Sequence, residues 1–262
     1  MLPFIFRPYF IEKKNILRLG PKNDGGYIVH KKILNRATLI ITCGLNDDWC
    51  FEKDLLKKNS ACRVIAFDHT VNAKFWLSYS WNNFIGLLMF KKLRVKKILD
   101  VFKYIDYKIF FSGKNRHLIK KIGVKNNLKE ISINTIFKNI KNSEKVILKI
   151  DIEGDEYRAL DDINKNSHLL EHLIIEFHKV KKNMSEIKSF IKKNKFLKLI
   201  HIHANNYSAV KQSVPDCLEM TFANKSIYCK KNKQNKYSYP IEGIDFPNLK
   251  RREDIKLSFY DR

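Results

Sequence analysis

The chain has no C-x-x-C pair, and its cysteines, Cys43, Cys50, Cys62, Cys217 and Cys229, are scattered and odd in number. That pattern argues against a disulfide framework and a zinc ribbon, and a reducing, cytoplasmic setting fits it best. Long apolar runs are missing as well. The longest, "FIGLLMF" at 84–90, falls far short of the ~20 residues that span a bilayer, so it is either core or an interfacial patch. The start, "MLPFIFRPYFIEKK", has no basic segment ahead of an apolar run and no small-residue cleavage site, and does not read as a signal peptide. A G-x-G-x-x-G loop is absent, so a dinucleotide has no bare N–H cradle for its pyrophosphate. Acids are scarce: 27 Asp and Glu stand against 51 Lys and Arg, a formal net charge of +24. Such a surface attracts anions. Its lysines, however, occur in scattered pairs such as Lys31-Lys32 and Lys181-Lys182, without the dense block of a nucleic-acid arm. Nucleic acid is therefore not the expected partner, whereas peripheral contact with an anionic membrane or polysaccharide stays open. Joint enrichment in Lys, Asn and Ile is also what a compositional bias of the coding sequence would produce.

What is present is a core and an alternation. With 262 residues, 44% of them hydrophobic, the chain suits one α/β domain spanning 1–262. In a lead-in over 1–36, "RLGPKNDGGYIV" (18–29) places glycines between two short apolar runs, as a turn between strands requires. "TLIITCG" (38–44), "CRVIAFDHT" (62–70), "KVILKID" (145–151), "HLIIEFH" (172–178), "FLKLIHIHANN" (196–206) and "CLEMTFAN" (217–224) read as strands. "FEKDLLKKN", "ISINTIFKNI" and "MSEIKSFIKKN" carry helical spacing between them. The alternation predicts a doubly wound α/β sheet. From about 74 to 124 the pattern loosens into aromatic and basic helical segments, including Trp76, Trp81, Phe84, Phe102 and Tyr104, which reads as an insertion. The polar stretch from about 230 to 262 is expected to be loosely packed.

On such a sheet the polar residues gather at one edge: Gly44, Asn46, Asp47 and Asp48, then Asp68, then Asp151 and Glu153, then Glu176 and His178, then His203 and Asn205. Carboxyl ends of strands form the ligand crevice of open α/β sheets. Asp68, ending the second core strand, is placed to accept hydrogen bonds from a ribose. Asp47 and Asp48 would repel a pyrophosphate, but a cofactor with adenosine, no phosphate and a positive centre suits them. S-adenosylmethionine has that description. In "LKIDIEGDEYRAL" (148–160), Asp155 and Glu156 are expected to be plain helix-start acids.

Taken in order, "RLGPKNDGGYIV", "CGLNDDWCFE", "FDHT", "LKIDIEGDEYRAL", "IIEFH" and "HIHANN" resemble the FkbM-type S-adenosylmethionine-dependent methyltransferases over about 18–224. The resemblance implies a Rossmann-like class I methyltransferase sheet carrying a helical insertion. It also implies O-methylation of a sugar hydroxyl in a surface glycan or related metabolite. Gly44 would let the backbone approach the cofactor's methionine end, Asp68 would hold the ribose and Asp151 would line the floor near the methyl, with Asn46 and Asp48 in the same loop. Cys50 stands where serine is common and His69 where proline is common, and the insertion is poorly matched.

Methyl transfer to a hydroxyl needs somewhere for the proton to go. His178 is the first candidate base, since a neutral imidazole accepts a proton near neutral pH, and Glu153 and His203 join it as catalytic candidates. His201 and His203 share one strand face and could ligate a divalent metal with Asp151, Glu153 or Glu176, although a polar sheet face explains the same spacing and a metal is not favoured. A nucleic-acid methyltransferase is disfavoured by "DIEG" where the amino-group enzymes carry [DNS]-P-P-[YF]. A non-enzymatic basic α/β module, docking on nucleic acid or an anionic membrane or glycan surface, leaves the acid-lined crevice unexplained.

Overall fold

The computed structural model describes residues 1–88, 102–208, 210–211, 213–227 and 233–260. A hairpin leads in: Ile16–Leu19 (β1) pairs antiparallel with Tyr27–His30 (β2). Its turn needs glycine, because Gly20 has φ +84° and a Cβ there would sit 2.7 Å from the Gly25 carbonyl oxygen. Seven strands then form one sheet: Leu39–Cys43 (β3), Arg63–Phe67 (β4), Arg116–Leu118 (β5), Val146–Ile150 (β6), Leu170–His178 (β7), Leu197–Ala204 (β8) and Cys217–Asn224 (β9). The spatial order is β8-β9-β7-β6-β3-β4-β5. Only β9 runs against its neighbours, and the other pairings are parallel. This is a mixed, Rossmann-like sheet, with the winding direction reversing between β3 and β6.

Period-two burial explains why the central strands are apolar throughout. Leu39, Ile41 and Cys43 of β3 enter one core while Ile40 enters the other, and β6 repeats this with Val146, Leu148 and Ile150 against Ile147. The first core is covered by Ile133–Lys138 and by Leu160–Asn166, whose Ile136, Phe137 and Ile163 it receives. Met184–Lys193 covers it too, burying Ile187 and Phe190 and turning Lys188, Lys192 and Lys193 away from the core. The second face is covered by the hairpin, by Lys31–Arg36 (α1) and by Cys50–Lys58 (α2), through Ile33, Leu34, Phe51 and Leu55. Lys149 follows Ile147 onto this second face and is buried there.

Two expectations change. The 74–124 region does contain helices, Ala73–Leu88 (α3) and Lys103–Phe110 (α4), but Arg116–Leu118 within it is the edge strand of the main sheet. Short strands that add only one edge lack the periodicity that announces longer ones. The apolar run at 84–90 falls, apart from Ile85, on side chains outside the described residues. The C-terminal stretch 233–260 is packed rather than loose: Tyr239 and Ile241 are buried, and Phe259–Tyr260 pairs parallel with Leu2–Pro3. Its polar residues misled because they satisfy buried polar groups on β8 and β9, as described below. Among the described residues no helix is long and apolar enough to cross a membrane.

Candidate active site at the strand carboxyl ends

The ends of β3 and β6 lie side by side, Cys43 opposite Ile150. There a cleft of 690 Å³ opens, lined by Asn23–Gly25, Gly44–Asp48, Asp68–Thr70, Lys120–Ile122 and Asp151–Glu153, with Tyr27, Lys149, Asp155 and Tyr207. Such crevices at winding reversals are where open α/β sheets bind ligands. The two central loops touch. Gly44 has φ +85°, and a Cβ on it would lie 1.6 Å from the Asp151 carbonyl oxygen, so no other residue fits.

Asp68 is fully engaged by the same loop. Its Oδ2 accepts the backbone N–H groups of Leu45 at 2.8 Å and Asn46 at 2.9 Å, and its Oδ1 accepts the Thr70 N–H at 2.7 Å and hydroxyl at 2.6 Å. Burial opposes ionisation, but these donors outweigh it and the carboxyl sits below its ordinary range. Since a carboxylate offers about four acceptor positions, a ribose reaching Asp68 has to displace one of these donors. The loop itself is tied down: Asn46 takes a left-handed φ of +49°, Asp48 accepts the Cys50 N–H at 2.8 Å at the start of α2, and Lys103 of α4 bonds Asp47 at 2.7 Å. Thus α4 braces the loop from outside, with Asp106 accepting from the Trp49 indole at 3.1 Å.

Beside Gly44 the titratable groups crowd. The Tyr27 hydroxyl donates to Asp151 Oδ2 at 3.0 Å and lies 3.5 Å from Glu176 Oε2. Glu176 is buried, and its Oε1 accepts from Asn205 at 2.9 Å and from the Cys217 thiol at 2.8 Å. Burial first, then Asp151 and Glu219, hold the Glu176 carboxyl well above its usual range. Asp151 is raised as well, chiefly by burial, against the opposing pull of Lys149 and His178. Lys149 lies 5.0 Å over the Tyr27 ring and 3.9 Å from Glu52, which accepts the Thr42 hydroxyl at 2.7 Å.

His178 stands among four carboxyls. Its Nδ1 meets Glu156 Oε1 at 2.8 Å, and its Nε2 lies 3.5 Å from Glu153 and 3.8 Å from Glu176. Burial disfavours its charge, but the bond to Glu156 and the charges of Glu156, Glu176 and Asp151 push its pKa up to about 9. This corrects the expected role: at neutral pH His178 is an imidazolium, not a ready base. Glu156 is also no plain helix-start acid. It is fully buried, accepts the His178 and Gly154 backbone N–H groups, each at 2.7 Å, and so ties the ring to the Glu153–Gly154 turn. Glu153 itself has φ +56° and an exposed side chain facing the cleft.

Of the residues singled out in the sequence, Gly44, Asn46, Asp48, Asp68, Asp151 and Glu153 line the cleft, and His178 adjoins Glu153. His203 does not join them. It is buried with Nδ1 3.1 Å from Glu219, directly opposite on β9, and Nε2 3.0 Å from Asp254 of the C-terminal stretch. Although burial opposes it, those two acids raise its pKa to about 10, which leaves it no catalytic proton to exchange. The ligand set Glu176, His201 and His203 is likewise not assembled, because His201 pairs with Asp245 at 3.0 Å. Among the described residues, metal-compatible groups are instead Asp151, Glu153 and His178, and Glu176, His178 and Cys217. Sequence reasoning passed over Tyr27, Lys149 and Glu156. A lysine inside an otherwise apolar strand next to an acid was a usable signal for Lys149.

The Methyltransferase FkbM domain profile matches residues 34–198. The chain belongs to that family. The matched span runs from α1 through the start of β8 and takes in Gly44, Asp68, Asp151 and His178. Solved structures similar to this FkbM methyltransferase are remote. The FkbM methyltransferase from Methylobacillus flagellatus KT is 14% identical over 71% of this chain and 44% of that one, at a TM-score of 0.39. The precorrin-6y C5,15-methyltransferase from Geobacter metallireducens GS-15 is 8% identical over 83% and 98%, at 0.39. A putative rRNA methylase from Clostridium thermocellum is 10% identical over 74% and 91%, also at 0.39. At such scores no argument about the acceptor rests on them. No curated protein matches the chain. Family membership makes the FkbM chain a methyltransferase and implies S-adenosylmethionine as its methyl donor.

Proposed function

We propose that this FkbM methyltransferase is an O-methyltransferase acting on a sugar hydroxyl of a glycan or related metabolite. One observation carries the reading: in a chain of net charge +24 the cleft is lined by seven acids, Asp24, Asp47, Asp48, Asp68, Asp151, Glu153 and Asp155, against three lysines, Lys120, Lys121 and Lys149. Phosphates of a nucleic-acid acceptor would be repelled there, whereas a neutral polyol finds acceptors for its hydroxyl protons. The cleft also fits the cofactor. Its acids suit a sulfonium and an ammonium, and the glycine at 44 keeps side-chain bulk out of the Gly44–Asp151 contact.

Bound S-adenosylmethionine supplies an electrophilic methyl whose bond to sulfur breaks toward sulfur as the acceptor oxygen forms its new bond to carbon. Gly44, Leu45 and Asn46 shape the cofactor side, held in place by Asp68. Tyr27 fixes Asp151 through Oδ2, and the Asp151–Glu153 pair draws the hydroxyl proton, with Glu153 open to water. His178, already protonated, offsets the negative charge that these acids concentrate.

Calorimetric titration with S-adenosylmethionine, followed by transfer of labelled methyl to neutral sugars and to RNA, tests this. Labelled sugar and unlabelled RNA are expected. Labelled RNA would sink the acceptor assignment. A folded protein that takes up no cofactor would return the basic-module reading.

A further inference from the structure

We propose that Asp151, Glu153 and His178 hold a divalent cation at the mouth of the cleft, where two adjacent hydroxyl oxygens of the acceptor complete its coordination. The acceptor half of this statement rests on the O-methyltransferase reading above. The cation half stands on the residues themselves.

Each of the three residues offers one ligand atom, and those atoms all lie within 4.8 Å of one another. His178 is oriented as a ligand, its Nε2 proton passing to water as the cation binds, because Glu156 engages Nδ1 at 2.8 Å and Nε2 faces Glu153 and the carboxyl cluster. A histidine whose far nitrogen is held by a carboxylate is the usual arrangement behind metal-bound imidazole. The same Glu156 accepts the Gly154 N–H, so one buried acid sets both the ring and the turn that presents Glu153. Tyr27 steadies Asp151 in the same way through Oδ2.

Two carboxylates and one imidazole favour a hard or borderline ion, of which Mn²⁺ is the natural probe. The neighbouring set of Glu176, His178 and Cys217 is the weaker competitor. Its thiol already donates to Glu176 at 2.8 Å, and both residues are enclosed, whereas the Glu153 side chain is 87% exposed and leaves coordination positions on the cleft side. Vicinal hydroxyls of a sugar ring are a bidentate oxygen donor of the right hardness. With such a cation in place the hydroxyl proton is lost to water on the Glu153 side, and the carboxylates serve as ligands.

The test is titration of the full chain with MnCl₂, read by the fall in the free-ion electron paramagnetic resonance signal, with cofactor affinity measured calorimetrically on the same samples. One Mn²⁺ per chain is expected. Glu156→Gln, a positioning change behind the ligand, should weaken it by ~10–100-fold. Glu153→Gln, an exposed side chain whose loss does not threaten folding, should weaken it at least as much, and Glu186→Gln, at an exposed acid outside the ligand set, should leave it unchanged. A folded wild type that leaves Mn²⁺ free, or binding that Glu153→Gln and His178→Gln both leave intact, overturns the site. If that happens while the cofactor still binds, the methyltransferase reading stands and only the cation fails. Bound Mn²⁺ without transfer to any vicinal diol would overturn the acceptor half alone.

Discussion

Two histidine–carboxylate clusters stand at the same edge of one sheet, and they differ in what covers them. His178 on β7 lies among Glu153, Glu156 and Glu176 beside the open cleft. His203 on β8 sits between Glu219 and Asp254, sealed by the C-terminal stretch, as His201 is by Asp245. A row across three strands links them, because Glu176 faces Glu219 and Glu219 faces His203 in register. Opposed like charges on a sheet are unfavourable. The row eases the conflict by driving the two acids apart: against burial, His203 and Asn248 lower the Glu219 carboxyl, while burial raises that of Glu176. Residue type and edge are therefore the same in both clusters, and covering decides which is structural.

The largest effect should separate them by activity. Asp151→Asn removes the carboxylate that the transfer needs and is expected to lower kcat by ~10²–10⁴-fold, with the fold intact by circular dichroism. His203→Ala should do the opposite. It leaves the buried Glu219 and the half-buried Asp254 without their imidazolium partner, a cost of about 3–5 kcal/mol, seen as a lowered denaturation midpoint with cofactor affinity per folded molecule retained. If His203→Ala melts like the wild type and abolishes transfer, the division between the clusters is wrong.

Asp68→Ala sharpens the contrast from the cofactor side. Freeing the buried N–H of Leu45 and the N–H of Asn46 beside it should cost about 1–3 kcal/mol of stability in addition to weakening S-adenosylmethionine binding. Loss of affinity with an unchanged melting point would mean that Asp68 serves the ribose alone. A smaller, pH-dependent effect follows from His203. Its folded-state pKa, about 10, lies above the ordinary 6.5. The imidazolium's contribution is therefore complete below about 6.5 and fades as pH rises through about 10. Thermal melts between those limits should fall with pH, and the fall should be shallower in His203→Gln. The least effect is expected of Glu186→Gln, a fully solvated acid that belongs to neither cluster, whose melting curve should overlay that of the wild type.

Much of the fold was legible because strands of this kind announce themselves. The unbroken apolar runs ending at Cys43 and Ile150 could only be buried on both faces, and the acids following Ile150 fell at their carboxyl ends. Arg116–Leu118 was not legible, being three residues of edge strand inside an aromatic stretch. Nor was the packing of the C-terminal stretch, since a polar sequence looks solvated until the buried histidines that its acids meet are known. Glu156 shows the same limit at a single residue. As a letter it is an acid at a helix start, and in place it is a buried clamp on His178.

By itself the sequence determined the order of strands and helices, the edge at which polar residues collect and the family to which they belong. These follow from local periodicity and from spacing along the chain. Tertiary structure alone decided the protonation of His178, the retirement of His203 and the assembly of Asp151, Glu153 and His178. Each depends on charges brought together from distant positions, and the energy of a buried charge is set by its neighbours in space rather than in sequence.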